Sequence, residues 1–427
     1  MKITVIGAGV IGLACAYELS FRGHDVTVLD AGAVGAGGSA GNAGWITPFL
    51  SAPRAAPGAV GDAVRSFTSA SGPARMRPHA EPAFASWVLR FLRASSARRS
   101  GRTLVALQEL ASRTHPAVDR LLERGVEFEH YRDGLAVVFK NDANLDSYHA
   151  LASKMRRLGY AGGISTYRGS EVVDFDPAIA RGVAGVMHLE TERHVRPESL
   201  SAGLAAALRA NGGRVFEHDA VTEIRAVRGG RWETATVGGR ESREDLTCDT
   251  VIVAAGFPSR DLLRPLGVDV PLEAAKGTSM TAVGEGVAPS HPLKLYESMV
   301  ACSPFRSGVR LSGTFDVGRR DFDMNRKRLK MVVDQGLTYL ETWRPTKVEV
   351  DWVGHRPTSV DDAPIIGAVP GLPGLYIATG HGTLGVTLAP VTGDLVAREI
   401  DTGATESLLE PFRLTRFRSP MRRSAPA

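Results

Sequence analysis

Lys2–Asp30 reads KITVIGAGVIGLACAYELSFRGHDVTVLD, and this stretch decides the fold. Lys2 to Ile6 is apolar with a β-branched core, the pattern of a short buried strand. Gly7-Ala8-Gly9-Val10-Ile11-Gly12 follows at once, and Leu13, Ala16, Tyr17 and Leu19 then recur at helical spacing up to Arg22. Gly23-His24 ends the helix, Asp25 to Leu29 reads as a second strand, and Asp30-Ala31 closes it. This is a complete βαβ unit. Gly7 permits the tight turn out of the strand. Gly9 has no Cβ, so a pyrophosphate can approach the backbone, and Gly12 lets the helix pack closely on the sheet. The first helical N–H groups, at Val10 and Ile11, sit at the positive end of the helix dipole and can hold phosphates. Asp30 stands 18 residues after Gly12 and can accept hydrogen bonds from ribose hydroxyls. The unit predicts a dinucleotide site, with FAD and NAD both open on these residues alone.

The next segment, Gly32 to Gly44, is a long Gly/Ala loop. Such a loop can wrap an extended cofactor, with Ser39 and Asn42 as polar contacts and Ala43 and Gly44 as close backbone. Gly37-x-Ser39-x-Gly41 fits the nucleophile-elbow pattern, but that elbow needs a strand running straight into the turn and a helix straight out. Neither is present, so an acyl hydrolase is excluded.

Further along, Ala52 to Pro82 is rich in Ala, Pro, Gly and Ser and reads as a connecting or lid-forming region. Phe84 to Leu92 and Leu104 to Leu122 carry helical periodicity, and a helix is expected before Asn211-Gly212-Gly213. Arg214 to Glu217, Ala220 to Val227 and Thr250 to Ala255 read as strands, the last ending at Gly256. Val221, Ala255 and Gly256 are therefore further cofactor-contact candidates. Ala274 to Leu340 mixes strands with a helix at Asn325 to Leu340. A second glycine pattern, Gly380-His381-Gly382-Thr383-Leu384-Gly385, lies between the strand Leu375 to Ala378 and the helix Val386 to Ile400. No strand and acid follow that helix, so it reads as a helix N-terminus aimed at the far end of the same cofactor.

Composition bounds the rest. The chain has 427 residues, 43% hydrophobic and 23% charged, as in ordinary globular proteins. Its net charge of +5 equals the five arginines of the tail from Arg413 to Ala427, so the remainder is expected to be balanced, without the basic stripe of a nucleic-acid binder. The tail reads as a solvated end or a weak contact with anionic lipid. Three cysteines with no CxxC pair argue against a disulfide framework or a zinc cluster, and Cys15 is expected in the core. No apolar run approaches the roughly 20 residues of a membrane span. Met1-Lys2 and the following apolar residues could imitate a signal peptide, but the βαβ unit needs them. A cytoplasmic protein, with peripheral membrane contact as an option, is the expectation.

These residues together carry a family pattern. The start VIGAGVIGLACAYELSFRGHDVTVLD, the loop SAGNAGWITP, VIVAAG, AAKGTSM, WVGHRPTSVDDAPIIG and LYIATGHGTLGVTLAP resemble, end to end, the FAD-dependent D-amino acid oxidase superfamily in its D-amino acid dehydrogenase small-subunit-like branch. The resemblance implies an α/β fold: a Rossmann-like FAD-binding domain (1–52, 194–273 and 351–412) interleaved with an α+β substrate domain on an antiparallel sheet (53–193 and 274–350), then a basic tail (413–427). It implies FAD as cofactor and oxidation of an amine carbon by hydride transfer to flavin N5, the imine hydrolysing to a 2-oxo acid and ammonia. In this pattern Arg356 binds the substrate carboxylate, His381 lies beside the flavin, Lys276 approaches the ring or pairs structurally, and Tyr296 is a second substrate contact. The substrate is a small amino or imino acid, and oxygen, a quinone or an electron carrier accepts the electrons. Close relatives carry aromatics where this chain has Thr278 and Val386, which points to an unusual substrate, such as a cyclic D-imino acid or an N-substituted amino acid. A glycine- or sarcosine-like secondary-amine oxidase and a non-catalytic flavoprotein subunit are the alternatives.

Overall fold

The structure, a computed structural model, describes residues 1–58, 72, 74–77, 79–227, 229–237 and 246–417. The βαβ unit forms as strand Lys2–Ile6, helix Val10–Phe21 and strand Asp25–Leu29, the strands parallel from Lys2 opposite Asp25 to Ile6 opposite Leu29. Gly7 takes φ +111°, and a Cβ there would lie 2.5 Å from the Ala254 carbonyl oxygen. A Cβ on Gly12 would lie 1.9 Å from the Gly7 carbonyl oxygen. Both glycines are therefore required by the close approach of helix, turn and neighbouring strand.

Among the described residues this unit sits in a six-stranded sheet. Its order is Arg214–Phe216, Asp25–Leu29, Lys2–Ile6, Thr250–Val253, Leu375–Thr379, Ile365–Ala368. All neighbours are parallel except the last pair. The helix Val10–Phe21 packs against Pro197–Ala210 and Gly385–Thr402, so stretches far apart in sequence share one core that includes Leu13, Cys15, Leu204 and Leu388. All three cysteines are buried and free.

The second sheet is mixed. Its order is Arg344–Ser359, Leu272–Glu285, Gly308–Val317, Val300–Phe305, Leu293–Leu295, Leu135–Phe139, Gly185–Leu189, Ile164–Tyr167, with Ala74–Met76 beside Gly308–Val317. Most neighbours are antiparallel, but Leu293–Leu295 runs parallel to Leu135–Phe139, and Ala74–Met76 parallel to Gly308–Val317. Leu311, Met280 and Cys302 pack with Leu329 and Val332 of the helix Arg326–Leu337. Val137, Phe139 and Met187 pack with Tyr148 of the helix Asp142–Arg157 and with Phe49.

Several expectations need correction. The strand Arg344–Ser359 stays paired with Leu272–Glu285 throughout, so a boundary at 350/351 would cut a strand, and Arg356 belongs to the mixed sheet. Leu104 to Leu122 is two helices, Ala97–Ala111 and Thr114–Glu123. Pro116 has no N–H to bond the carbonyl four residues back, and its ring would clash there. The tail does not begin at Arg413. That guanidinium pairs twice with buried Glu399, and Arg416 pairs with Asp361 at 2.8 and 3.0 Å, which anchors the chain to Phe417. The rest of the tail and most of the connecting region from 59 to 73 lie outside the described residues.

Candidate active site

A cavity of about 730 Å³ opens where the two sheets meet. The parallel sheet supplies the carboxyl ends of adjacent strands: Ile6-Gly7, Leu29-Asp30, Ala254 to Gly256 and Ala378-Thr379. This is where open α/β sheets bind ligands, because loops diverge there and helix N-termini converge. Gly9, Val10, Ile11, Ala31, Ser39, Asn42 and Val221 also line it, as do Gly382 and Gly385 of the second glycine pattern, so the two patterns face one space. Gly12, Ala43, Gly44, Gly380, Thr383 and Leu384 are not among its lining residues. Gly12 instead seats the helix, and the Gly44 carbonyl accepts the Val195 N–H at 2.8 Å.

The polar groups of this wall are held by local chemistry. Asp30 accepts the Ala8 and Gly32 N–H groups at 2.5 and 2.7 Å, while burial raises its carboxyl above the ordinary value. A carboxylate has about four lone-pair sites, so acceptor capacity remains for a ligand. Ser39 Oγ accepts the Val10 N–H at 2.9 Å and thereby ties the glycine loop to the helix start. Its hydroxyl is engaged as a cap, the opposite of a free nucleophile. Asn42 Oδ1 accepts the Gly44 N–H at 2.8 Å, and its carbonyl accepts from Arg310 at 2.9 Å.

His381 lines the cavity, and burial pushes its imidazole down to about 3, so the ring is neutral. Nε2 meets Thr392 Oγ1 at 3.1 Å. Nδ1 is buried and has no partner among the described residues. An orphaned buried ring nitrogen on a cavity-lining residue costs free energy unless a partner satisfies it.

Arg356 comes from the mixed sheet and lines the same cavity with His355 and Pro357. Its guanidinium lies across Gly277, where a Cβ would come within 2.0 Å of Nη1, so a glycine at 277 makes the room. Nη1 donates to the Thr314 carbonyl at 3.1 Å. No carboxylate among the described residues lies within ion-pair distance of it. Burial, and then the neighbouring Arg54 charge, lower the guanidinium to about 10, which leaves it charged at neutral pH. Arg54 itself is matched, gripping Asp362 at 2.9 and 3.1 Å while stacking 3.7 Å over Phe315. Arg356 is thus a charged donor fork with unused N–H groups beside a cavity.

The other site candidates sit elsewhere. Lys276 pairs with Asp321 and donates to the Asp323 carbonyl at 2.6 Å, so it anchors the loop after Val317 and does not line the cavity. Tyr296 packs on Phe139 and Tyr148 with ring centroids 5.0 and 5.5 Å apart, away from the lining residues. Of the two missing aromatics, Val386 borders the cavity, whereas Thr278 is buried with its hydroxyl 3.3 Å from that of Thr314. Sequence reasoning missed Phe322 and His355, whose rings meet at 4.4 Å on the cavity rim. Phe322 is a lone aromatic in the polar run GRRDFDMN, a signal too weak to read without the fold.

A cavity at the strand ends of a parallel sheet, faced by an unmatched guanidinium from a second sheet, fits an oxidoreductase of the two-sheet, dinucleotide-dependent kind. The family model for FAD-dependent oxidoreductases of the DAO type matches residues 2–399. The chain belongs to that family, and FAD is its cofactor. It is 30% identical over 436 residues to D-amino acid dehydrogenase 2 of Ralstonia nicotianae, covering 97% of this chain and all of that one. It is 30% identical over 446 residues to the D-amino acid dehydrogenase of Cereibacter sphaeroides, covering 100% of this chain and 98% of the other. Among solved structures it is similar to glycine oxidase from Geobacillus kaustophilus, with TM-score 0.74, 20% identity and coverage of 98% and 100%. It is likewise similar to iminodiacetate oxidase from Chelativorans sp. BNC1, with TM-score 0.72, 22% identity and coverage of 96% and 98%. No helix among the described residues is long and apolar enough to cross a membrane.

Proposed function

We propose that this chain oxidises the Cα–N bond of a D-amino acid or a cyclic imino acid, giving an imine that hydrolyses to a 2-oxo acid. The observation that carries the reading is Arg356: a charged, unmatched guanidinium beside the FAD cavity. A planar fork makes two parallel charge-assisted bonds to a carboxylate and keeps its charge throughout. The relatives named D-amino acid dehydrogenase support the D-amino acid class.

Bound FAD supplies the hydride acceptor. Gly7, Gly9 and the start of the helix Val10–Phe21 would hold its pyrophosphate, Asp30 its ribose, and the Gly382–Gly385 turn its ring end. Arg356 fixes the acid end of the substrate, which presents the α-hydrogen in one orientation, and alignment of this kind is worth several kcal/mol. Burial holds the His381 imidazole near 3 and its Nε2 is taken by Thr392, so the ring is a weak base and acts as a hydrogen-bonding contact. The substrate amine enters neutral and its N–H proton leaves to solvent. Val386, in place of an aromatic, widens the wall for a ring or an N-substituent.

Anaerobic titration of the yellow protein tests this reading. D-alanine or D-proline is expected to bleach the flavin absorbance, and Arg356→Leu to raise KM strongly while FAD stays bound. Bleaching by sarcosine or iminodiacetate but by no D-amino acid would move the substrate to the secondary-amine class. Bleaching by no amine at all would leave a non-catalytic flavoprotein. Reoxidation by oxygen, a quinone analogue or a carrier protein then assigns the acceptor.

A further inference from the structure

A second cavity, of about 670 Å³, lies between the helices Pro82–Ala94 and Ala97–Ala111 and the final turns of the described chain. Five arginines line it, Arg90, Arg93, Arg99, Arg102 and Arg416, against one acid, Asp361. Asp361 is already spent, gripped by Arg416 at 2.8 and 3.0 Å. Arg90 reaches Asp269 at 3.0 Å. Arg93, Arg99 and Arg102 have no carboxylate within ion-pair distance among the described residues. The expectation of a balanced body is therefore wrong locally: RFLRASSARRSGR, residues 90–102, holds five arginines and no acid. The chain beyond Phe417, RSPMRRSAPA, adds three more arginines and no acid, so it brings no neutralising charge.

Helix stability accounts for part of this arrangement: Arg93 stands in the last turn of Pro82–Ala94, where the helix dipole favours a cation, and Arg99 Nη1 donates to the Arg93 carbonyl at 3.4 Å, but neither role extends to Arg102. Arg98 and Arg99 stand in the first turn of Ala97–Ala111, which has no acidic residue there, and the positive end of the helix dipole disfavours cations at that place. Like charges converging on one concavity repel unless an anion joins them. Leu89 and Val105, apolar and more than half or about half exposed at 56% and 50%, flank the arginines on the same two helices.

We propose that this arginine-lined cavity binds a phosphate-bearing anion, with Arg93, Arg99 and Arg102 as its ligands. Guanidinium forks match phosphate oxygens two at a time, which selects arginine over lysine for this task. The phosphate can belong to a soluble polyphosphate or to an anionic lipid headgroup, and the Leu89 and Val105 side chains suit the second source. The turn Pro357 to Pro364 separates the two cavities, with Pro357 on the FAD side and Val360, Asp361 and Ala363 on the arginine side.

The test uses the full-length, FAD-loaded protein at low salt. Tripolyphosphate is titrated by calorimetry, and vesicles of phosphatidylcholine alone or with phosphatidylglycerol are co-sedimented. The compared chains are wild type, the triple variant Arg93→Gln/Arg99→Gln/Arg102→Gln, and a truncation after Phe417. FAD content and Tm check that the variants are folded. Tripolyphosphate binding that weakens about tenfold or more in the triple variant supports a soluble ligand. Binding restricted to phosphatidylglycerol vesicles, weakened about a hundredfold in the triple variant, supports a headgroup. Binding of neither probe, binding unchanged in the triple variant, or binding lost only on truncation would overturn the proposal.

Discussion

Along the parallel sheet the cavity is lined by glycine turns, a helix start and strand ends, with the Asp30 carboxyl held in place by backbone N–H groups. Along the mixed sheet it is walled by side chains, chiefly Arg356 lying across Gly277, with His355 and Phe322 at the rim. Backbone walls recognise what every member of a family shares, a dinucleotide, because N–H groups and close approach do not vary with the side chain. Side-chain walls can change one residue at a time without disturbing the fold. The two sides should therefore fail differently when altered: one loses FAD, the other keeps FAD and loses turnover.

Four changes break or sharpen that contrast. The largest effect is expected from Gly12→Val, since even a Cβ there would sit 1.9 Å from the Gly7 carbonyl oxygen. Purified protein should be colourless or insoluble, read by absorbance near the flavin maximum; a yellow, folded variant would refute the close-packing argument. Next, Arg356→Leu should keep its FAD while kcat/KM drops. Removing one partner of a buried charge pair costs about 2–5 kcal/mol, or roughly 30- to several thousand-fold. Loss of FAD from this variant would mean that the two walls are not separable.

Third comes Glu192, buried in the turn before the strand Arg193–Val195 and accepting the Phe49 N–H at 3.3 Å. Burial raises its carboxyl to about 7. An unfolded glutamate titrates near 4.3, so over that window the native state holds more protons and stability falls as pH rises, levelling off above 7. Glu192→Gln should remove roughly 2 kcal/mol of that decline, measured by urea unfolding at pH 5 and pH 8. The comparison is made against wild type because His130 and His194, both pushed down to about 4 by burial, add a slope of opposite sign. Identical pH dependence in both proteins would show that Glu192 is ionised when folded. The smallest effect belongs to Ser39→Ala, which removes the cap on the Val10 N–H and should cost about 1 kcal/mol, with FAD binding a few-fold weaker.

The parallel-sheet half of the site was legible in sequence, because its signals are local. Strand, glycine turn, helix and acid fall within twenty-nine residues, and Gly7, Gly9, Asp30 and Ser39 read out directly. The mixed-sheet half was legible only through the family pattern, which located Arg356 but not its setting. Lys276 in AAKG read either as a flavin contact or as a structural ion pair; the structure has the ion pair, with a partner, Asp321, 45 residues on that no periodicity links to it. Tyr296 looked like a substrate contact, yet it serves the cluster around Phe139 and Tyr148. Gly277 carried no sequence signal, since its task is to leave room for a side chain on the next strand.

Spacing along the chain was enough to settle the dinucleotide fingerprint, the buried strands and the helices that follow the glycine turns, because each depends on contacts within a few residues. Folding decided which of the candidate side chains share a cavity, which arginines are matched by acids, and which are left without a counter-charge. Those outcomes depend on pairing between strands dozens to hundreds of residues apart, and a charge acts on whatever lies within a few ångströms of it, regardless of its place in the chain.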